Sequence, residues 1–131
     1  MNTSATLPQL RELSNQIRDL GLSLKAASAE LGEENVAFVV GTSAELEHFM
    51  SRLSITPESP DPLGSRELRH DLRNKVAVVK GFSDLMRMDL SPNHHWANLL
   101  DHLIVLSDQF VEVLDSARDR SPSDCGAAIF A

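Results

Sequence analysis

Residues 65–88 read SRELRHDLRNKVAVVKGFSDLMRM. Leu68, Leu72, Val76, Val79, Phe82 and Met86 recur at spacings of three and four. One apolar stripe therefore runs down a helix whose other faces are polar and charged. Ser65 stands ahead of the stripe as an N-cap, and Glu67 in the first turn suits the positive end of the helix dipole. Downstream, Trp96, Leu99, Leu100, Leu103, Leu106, Phe110, Val113, Leu114 and Ala117 make a second stripe. Ser91-Pro92 lies between the two, a serine cap followed by a proline at the first helical position, and it predicts a helix over 92–118. So short a connection makes the two helices antiparallel neighbours.

Upstream, residues 55–64 read ITPESPDPLG, and their three prolines forbid a continuous helix. This linker separates a second helical pair, over 1–54, from the hairpin over 65–120. Thr6-Leu7-Pro8-Gln9 has the form of a capping box and starts the first helix. Leu10, Leu13, Ile17, Leu20, Leu24, Ala27 and Leu31 then alternate spacings of three and four, a heptad seam that requires a partner helix. Gly21 weakens this helix by about 1 kcal/mol relative to alanine, and Gly32 ends it. A further helix is predicted over 34–54. Val36 to Val40 taken alone has the length of a short strand, and Thr42-Ser43-Ala44-Glu45 is a second capping-box pattern that marks Gly41 as a candidate break. Residues 121–131 form a tail or the opening of another domain. The fold class is all-α, built of antiparallel hairpins. Two helices alone bury little apolar surface, so a four-helix bundle is expected from homodimerisation through residues 65–119. The structural alternative is a single-chain bundle in which both hairpins pack together.

Composition narrows the function classes. The chain has 131 residues, 42% of them hydrophobic and 24% charged, as in ordinary globular domains. Twelve basic against nineteen acidic residues give a net charge of −7, which disfavours nucleic acid and anionic lipid as partners. Aromatic residues are 5% and tyrosine is absent, so no base-stacking platform is expected. No apolar run approaches the roughly 20 residues of a membrane span. No secretory leader pattern opens the chain. The single cysteine, Cys125, rules out an intrachain disulfide and a multi-cysteine zinc site. A reduced, cytoplasmic setting without cofactors is the expectation.

The segment richest in chemistry is Arg69-His70-Asp71-Leu72-Arg73-Asn74. With Leu68 and Leu72 turned to the core, His70 faces outward. Asn74 follows one turn later on the same face, and Ala77 and Gly81 continue that strip with almost no side chain. A partner helix can therefore approach closely. Asp71 is adjacent, and Arg73 and Lys80 flank the strip. Neutral imidazole is a nucleophile near pH 7, a carboxylate can take its proton, and cations offset phosphoryl charge. An amide one turn on can position a water for the reverse, hydrolytic reaction. The set suits phosphoryl transfer. Read from spacing alone, a plain surface histidine on a charged helix is the more common explanation.

His70-Asp71-Leu72-Arg73-Asn74 with Val76-Ala77-Val78-Val79-Lys80-Gly81-Phe82 resembles the H-box of sensor histidine kinases. In that family the H-box lies on the first helix of the dimerisation and histidine-phosphotransfer domain, where two hairpins make a four-helix bundle. The resemblance spans about residues 65–119. It implies His70 as the phospho-accepting residue, Asp71 as the acidic partner that assists transfer and Asn74 as the residue of phosphatase chemistry. Arg73, Ala77, Lys80 and Gly81 would dock a response-regulator receiver domain. Two departures stand out. Lys75 occupies the position of the usual proline, and no N box or G box of an ATP-binding domain follows the hairpin. The resemblance thus implies a phosphotransfer or phosphatase-like module, either supplied with phosphate by a separate histidine kinase or a fragment of a larger protein. The reading from a different class is a non-catalytic dimerisation and signalling scaffold that keeps the H-box shape.

His94, His95, Asp101 and His102 cluster in sequence. Pairs seven apart share a helix face but lie two turns apart, too far to hold one ion without a ligand from elsewhere. No metal site is expected here, and a polar helix start accounts for these residues. Cys125 lies in the predicted tail.

Overall fold

The computed structural model describes residues 3–53 and 62–119. Four long helices carry the fold: α1 (Thr3–Ser23), α3 (Glu33–Arg52), α4 (Arg66–Met88) and α5 (Ala97–Asp119). Between α1 and α3 the chain passes through a 3₁₀ turn, Leu24–Ala27, and one helical turn, α2 (Ser28–Leu31). No strand occurs among the described residues. Helix α1 packs against α3 and α5, and α4 packs against α3 and α5, so the four close into a ring. Cross-contacts fix the directions. Arg11 meets Met50 while Gly21 meets Val39, Phe38 meets Phe82 while Glu45 meets Lys75, and Arg73 meets Asp115 while Arg87 meets Asp101. Each of these three neighbouring pairs is antiparallel.

One core runs through both hairpins. Leu7, Leu10, Ile17 and Leu24 of the N-terminal hairpin share it with Val39, Leu46 and Met50, and with Leu72, Val76, Leu100, Leu103, Phe110 and Leu114 from the C-terminal one. The heptad seam of α1 finds its partner here. The long stripe on α5 is covered by α1 and α4 of the same chain. The closed four-helix arrangement is thus supplied by one chain, as in the single-chain alternative.

Punctuation explains the element ends, with two departures from the sequence reading. Ser65 caps α4 as expected, its Oγ accepting the Leu68 amide at 3.2 Å. Gly32 ends the first hairpin arm at φ 101°, a region that L side chains rarely adopt. Helix α1, however, begins at Thr3, ahead of the Thr6 capping box, and places Pro8 within it. Helix α3 is the single helix expected over 34–54, and it runs through the candidate break at Gly41. Helix α5 starts at Ala97, not at Pro92, because turns occupy residues 92–93 and 95–96 and the Trp96 amide donates to His94 Nδ1 at 3.1 Å. The bulk of the proline linker and the tail after 119 lie outside the described residues.

The interhelical faces carry serines where the stripes carry leucines. Ser14, Ser43 and Ser107 are buried, and each hydroxyl donates to a carbonyl three or four residues back in its own helix. On α4 the buried line is Arg69, Leu72, Val76, Val79, Ser83 and Met86. Leu68 and Phe82 of the expected stripe are half-buried. Arg69 is buried because its Nη1 donates to the Leu63 carbonyl at 2.8 Å, tying the end of the linker to the first turns of α4.

Gly81 has no atom within 4 Å of the place a Cβ would occupy. Gly81→Ala should therefore raise stability by about 0.5–1 kcal/mol through helix propensity. Gly32→Ala should lower it, because alanine is strained at that φ. Urea denaturation of both variants checks the contrast in sign.

Candidate functional site

Helix α4 sets out the site by its own period. Its core line takes Leu72, Val76 and Val79 inward, so the opposite arc holds His70, Asn74, Ala77 and Gly81, all exposed. They stand at i, i+4, i+7 and i+11, which stacks them on one strip. Asp71 and Arg73 are exposed as well, and Lys80 is partly covered. Among the described residues no hydrogen bond or ion pair engages the exposed His70 ring. No bond joins Asp71 to that ring either, because neighbours on a helix diverge around the axis.

Two shallow concavities border the strip. Arg66, Glu67, His70 and Asp71 line one at the start of α4. Arg73, Val76, Ala77 and Lys80 line the other with Asp108, Val111 and Glu112 of α5. The expected docking residues Arg73, Ala77 and Lys80 therefore meet in one groove between α4 and α5. Gly81 lies on the same helix outside that groove.

The cations along this side of α4 already have partners. Arg73 pairs with Asp115, Lys80 with Asp108 at 2.7 Å and Arg87 with Asp101 at 2.8 Å. The three basic residues are seven apart along α4, and the three acids are seven apart along α5. Antiparallel packing turns these two runs into a ladder. The hydrogen bond and charge of Asp108 hold Lys80 above the ordinary lysine range, so it stays an ammonium. This ladder escaped the sequence reading, although the matching intervals are visible once α4 and α5 are set antiparallel.

Lys75 reaches across to the other hairpin. Its Nζ lies 3.7 Å from Glu45 Oε1 and 5.9 Å from the centre of the Phe49 ring. Proline could make neither contact, and α4 runs unbroken through the position. No described helix is long and apolar enough to cross a membrane. Comparison with protein-family models, with curated proteins and with solved structures gives no match for this chain.

Proposed function

We propose that this chain is a histidine phosphotransfer or phosphatase-like module of two-component signalling that docks a receiver domain over His70. The observation that carries the reading is the exposed strip of His70, Asn74, Ala77 and Gly81 on α4. A nucleophile without an internal partner stands at one end, and residues too small to obstruct an approaching helix follow it. In the step from a phosphorylated receiver domain, an imidazole nitrogen attacks the phosphorus of the receiver's aspartyl phosphate. The bond to the receiver's carboxylate breaks as the N–P bond forms, and the proton on the other ring nitrogen passes to Asp71 or to water. Arg73 and Lys80 lie within two to three turns and can exchange their α5 carboxylates for phosphoryl oxygens. The test is incubation with phosphorylated receiver domains and with histidine kinases as donors, followed by assay for phosphate stable to base and labile to acid. Absence of such label with every donor would remove the transfer activity from the proposal.

A second reading is favoured by the ladder. Because Arg73 and Lys80 are matched by Asp115 and Asp108, these cations also serve packing. A scaffold that retains the H-box shape without phosphorylation fits that observation.

The module works in this proposal as a single-chain bundle, with the N-terminal hairpin in the place of a second copy. Light scattering at tens of micromolar, a concentration that populates stable dimers, is expected to give the mass of one chain. A dimer mass would restore the homodimer expected from the sequence.

A further inference from the structure

At the far end of the bundle from His70, the two hairpins meet through a small polar cluster. Glu30 comes from α2, and His94 and His95 come from the turns between α4 and α5. His94 Nε2 lies 3.5 Å from Glu30 Oε2, and His95 Nε2 lies 3.3 Å from Glu30 Oε1. The imidazoles are stacked, with centroids 4.5 Å apart and planes 16° from parallel. Stacking turns both rings toward one carboxylate, and one ligand atom from each residue falls within 4.8 Å of the others.

We propose that Glu30, His94 and His95 bind a divalent transition metal, with zinc as its first candidate, and that the ion clasps the N-terminal hairpin to the α4–α5 connection. Two imidazoles and a carboxylate are a donor set that zinc accepts, with the remaining position taken by water. Bonds of about 2.0–2.1 Å in a tetrahedron put ligand atoms about 3.3–3.4 Å apart. The separations of His94 from Glu30 Oε2 and of His95 from Glu30 Oε1, one on each carboxylate oxygen, lie near that value. The carboxylate is also oriented from behind, since the Trp96 indole N–H donates to Glu30 Oε1 at 2.9 Å. That bond holds the Glu30 carboxyl below the usual carboxylate range. One term opposes binding. His94 Nδ1 accepts the Trp96 amide at 3.1 Å, which leaves the proton of the neutral ring on Nε2. A metal on Nε2 moves that proton to Nδ1 and gives up the hydrogen bond to the amide. His95 carries no such constraint and is the stronger imidazole ligand. His70 is 18 residues from the end of α4, about 27 Å at the helical rise, so the ion takes no part in chemistry there.

Trp96 is the one tryptophan of the chain and touches a ligand directly, so its emission reports on the site. The experiment is calorimetric titration of the full chain with Zn²⁺ in a Cys125→Ser background, which removes the thiol as a competing ligand. Ni²⁺ quenching of Trp96 emission, reversed by Zn²⁺, is measured in parallel. One ion per chain is expected. Glu30→Gln and His95→Ala should each weaken binding at least tenfold, while His102→Ala and His70→Ala leave it unchanged. Circular dichroism confirms that the surface variants keep their helices. Absence of saturable binding at about 100 μM, a weak affinity on any scale, would overturn the site. Equal affinity in Glu30→Gln and His95→Ala would overturn it too. No phosphodonor enters the assay, so its outcome is independent of the phosphotransfer reading.

Discussion

Phe110→Ala is expected to cost about 3–5 kcal/mol of folding stability, the usual range for deleting a fully buried phenylalanine. Phe110 is 0% exposed and belongs to the core shared by all four helices. Its removal leaves a void that the surrounding core must collapse into. Close packing allows only part of that collapse, and the residual cavity adds to the lost transfer energy. Small domains commonly have 5–15 kcal/mol in total, so one substitution removes a large fraction. Chemical denaturation should show a lower midpoint at an unchanged slope. Leu85→Ala, at 53% exposure, serves as the control and should change stability by no more than about 0.5 kcal/mol. The size of the Phe110 effect also tests how the bundle is closed. If α5 were covered by a second copy instead of by α1, the loss would depend on protein concentration. A concentration-independent midpoint is the outcome expected of the single-chain bundle.

The helices were legible because their apolar residues keep the helical period. Leu10, Leu13, Ile17, Leu24 and Leu31 on one arm, and Leu100, Leu103, Leu106, Phe110 and Leu114 on another, are buried where the pattern puts them. Gly32 and Ser65 were legible for a local reason, since a positive φ and an orphan amide select those residues wherever they occur. The partner of each stripe was less legible. Periodicity says that a face is buried, and it is silent on what buries it. The stripe of α5 fits a second copy and α1 equally well as a pattern, and only the packed chain decides between them. Buried polar residues were missed for a different reason. Arg69 looks like one more surface cation, yet the carbonyl of Leu63 draws it inward. Ser43 and Ser107 look like interruptions, yet each satisfies its hydroxyl within its own helix and so tolerates burial. The start of α5 was misplaced because Ser91-Pro92 is a valid local signal that loses to longer-range contacts. His95 and Trp96 bond to Glu30, 65 and 66 residues away, and hold the chain in turns until Ala97. The exposed strip of α4 followed from the burial of Leu72. The Arg73, Lys80 and Arg87 ladder did not, because it needs two helices read against each other.

His70→Ala is expected to abolish acid-labile labelling, the other large effect, because phosphohistidine is a phosphoramidate and no other residue of the strip can form that bond. Asp71→Asn keeps the shape of the side chain and removes its basicity. If Asp71 takes the ring proton as nitrogen attacks phosphorus, labelling should slow by about 10²–10⁴-fold, the usual worth of a positioned general base. The carboxylate is exposed and makes no bond to the imidazole in the unpartnered chain, so the slowing should appear as a loss of transfer rate with donor binding retained. Asn74→Ala should leave labelling intact and slow hydrolysis of a receiver's phospho-aspartate, since that reaction needs a positioned water and not a nucleophilic ring. The three variants alter exposed groups, so their urea midpoints should match that of the parent chain and loss of label cannot be ascribed to unfolding. The scaffold reading predicts a different pattern, in which the parent takes no label and all three variants bind and signal as it does. Full signalling by His70→Ala in the native pathway would leave the scaffold as the function of this bundle, with Arg73 and Lys80 kept for their pairs on α5 and not for phosphate.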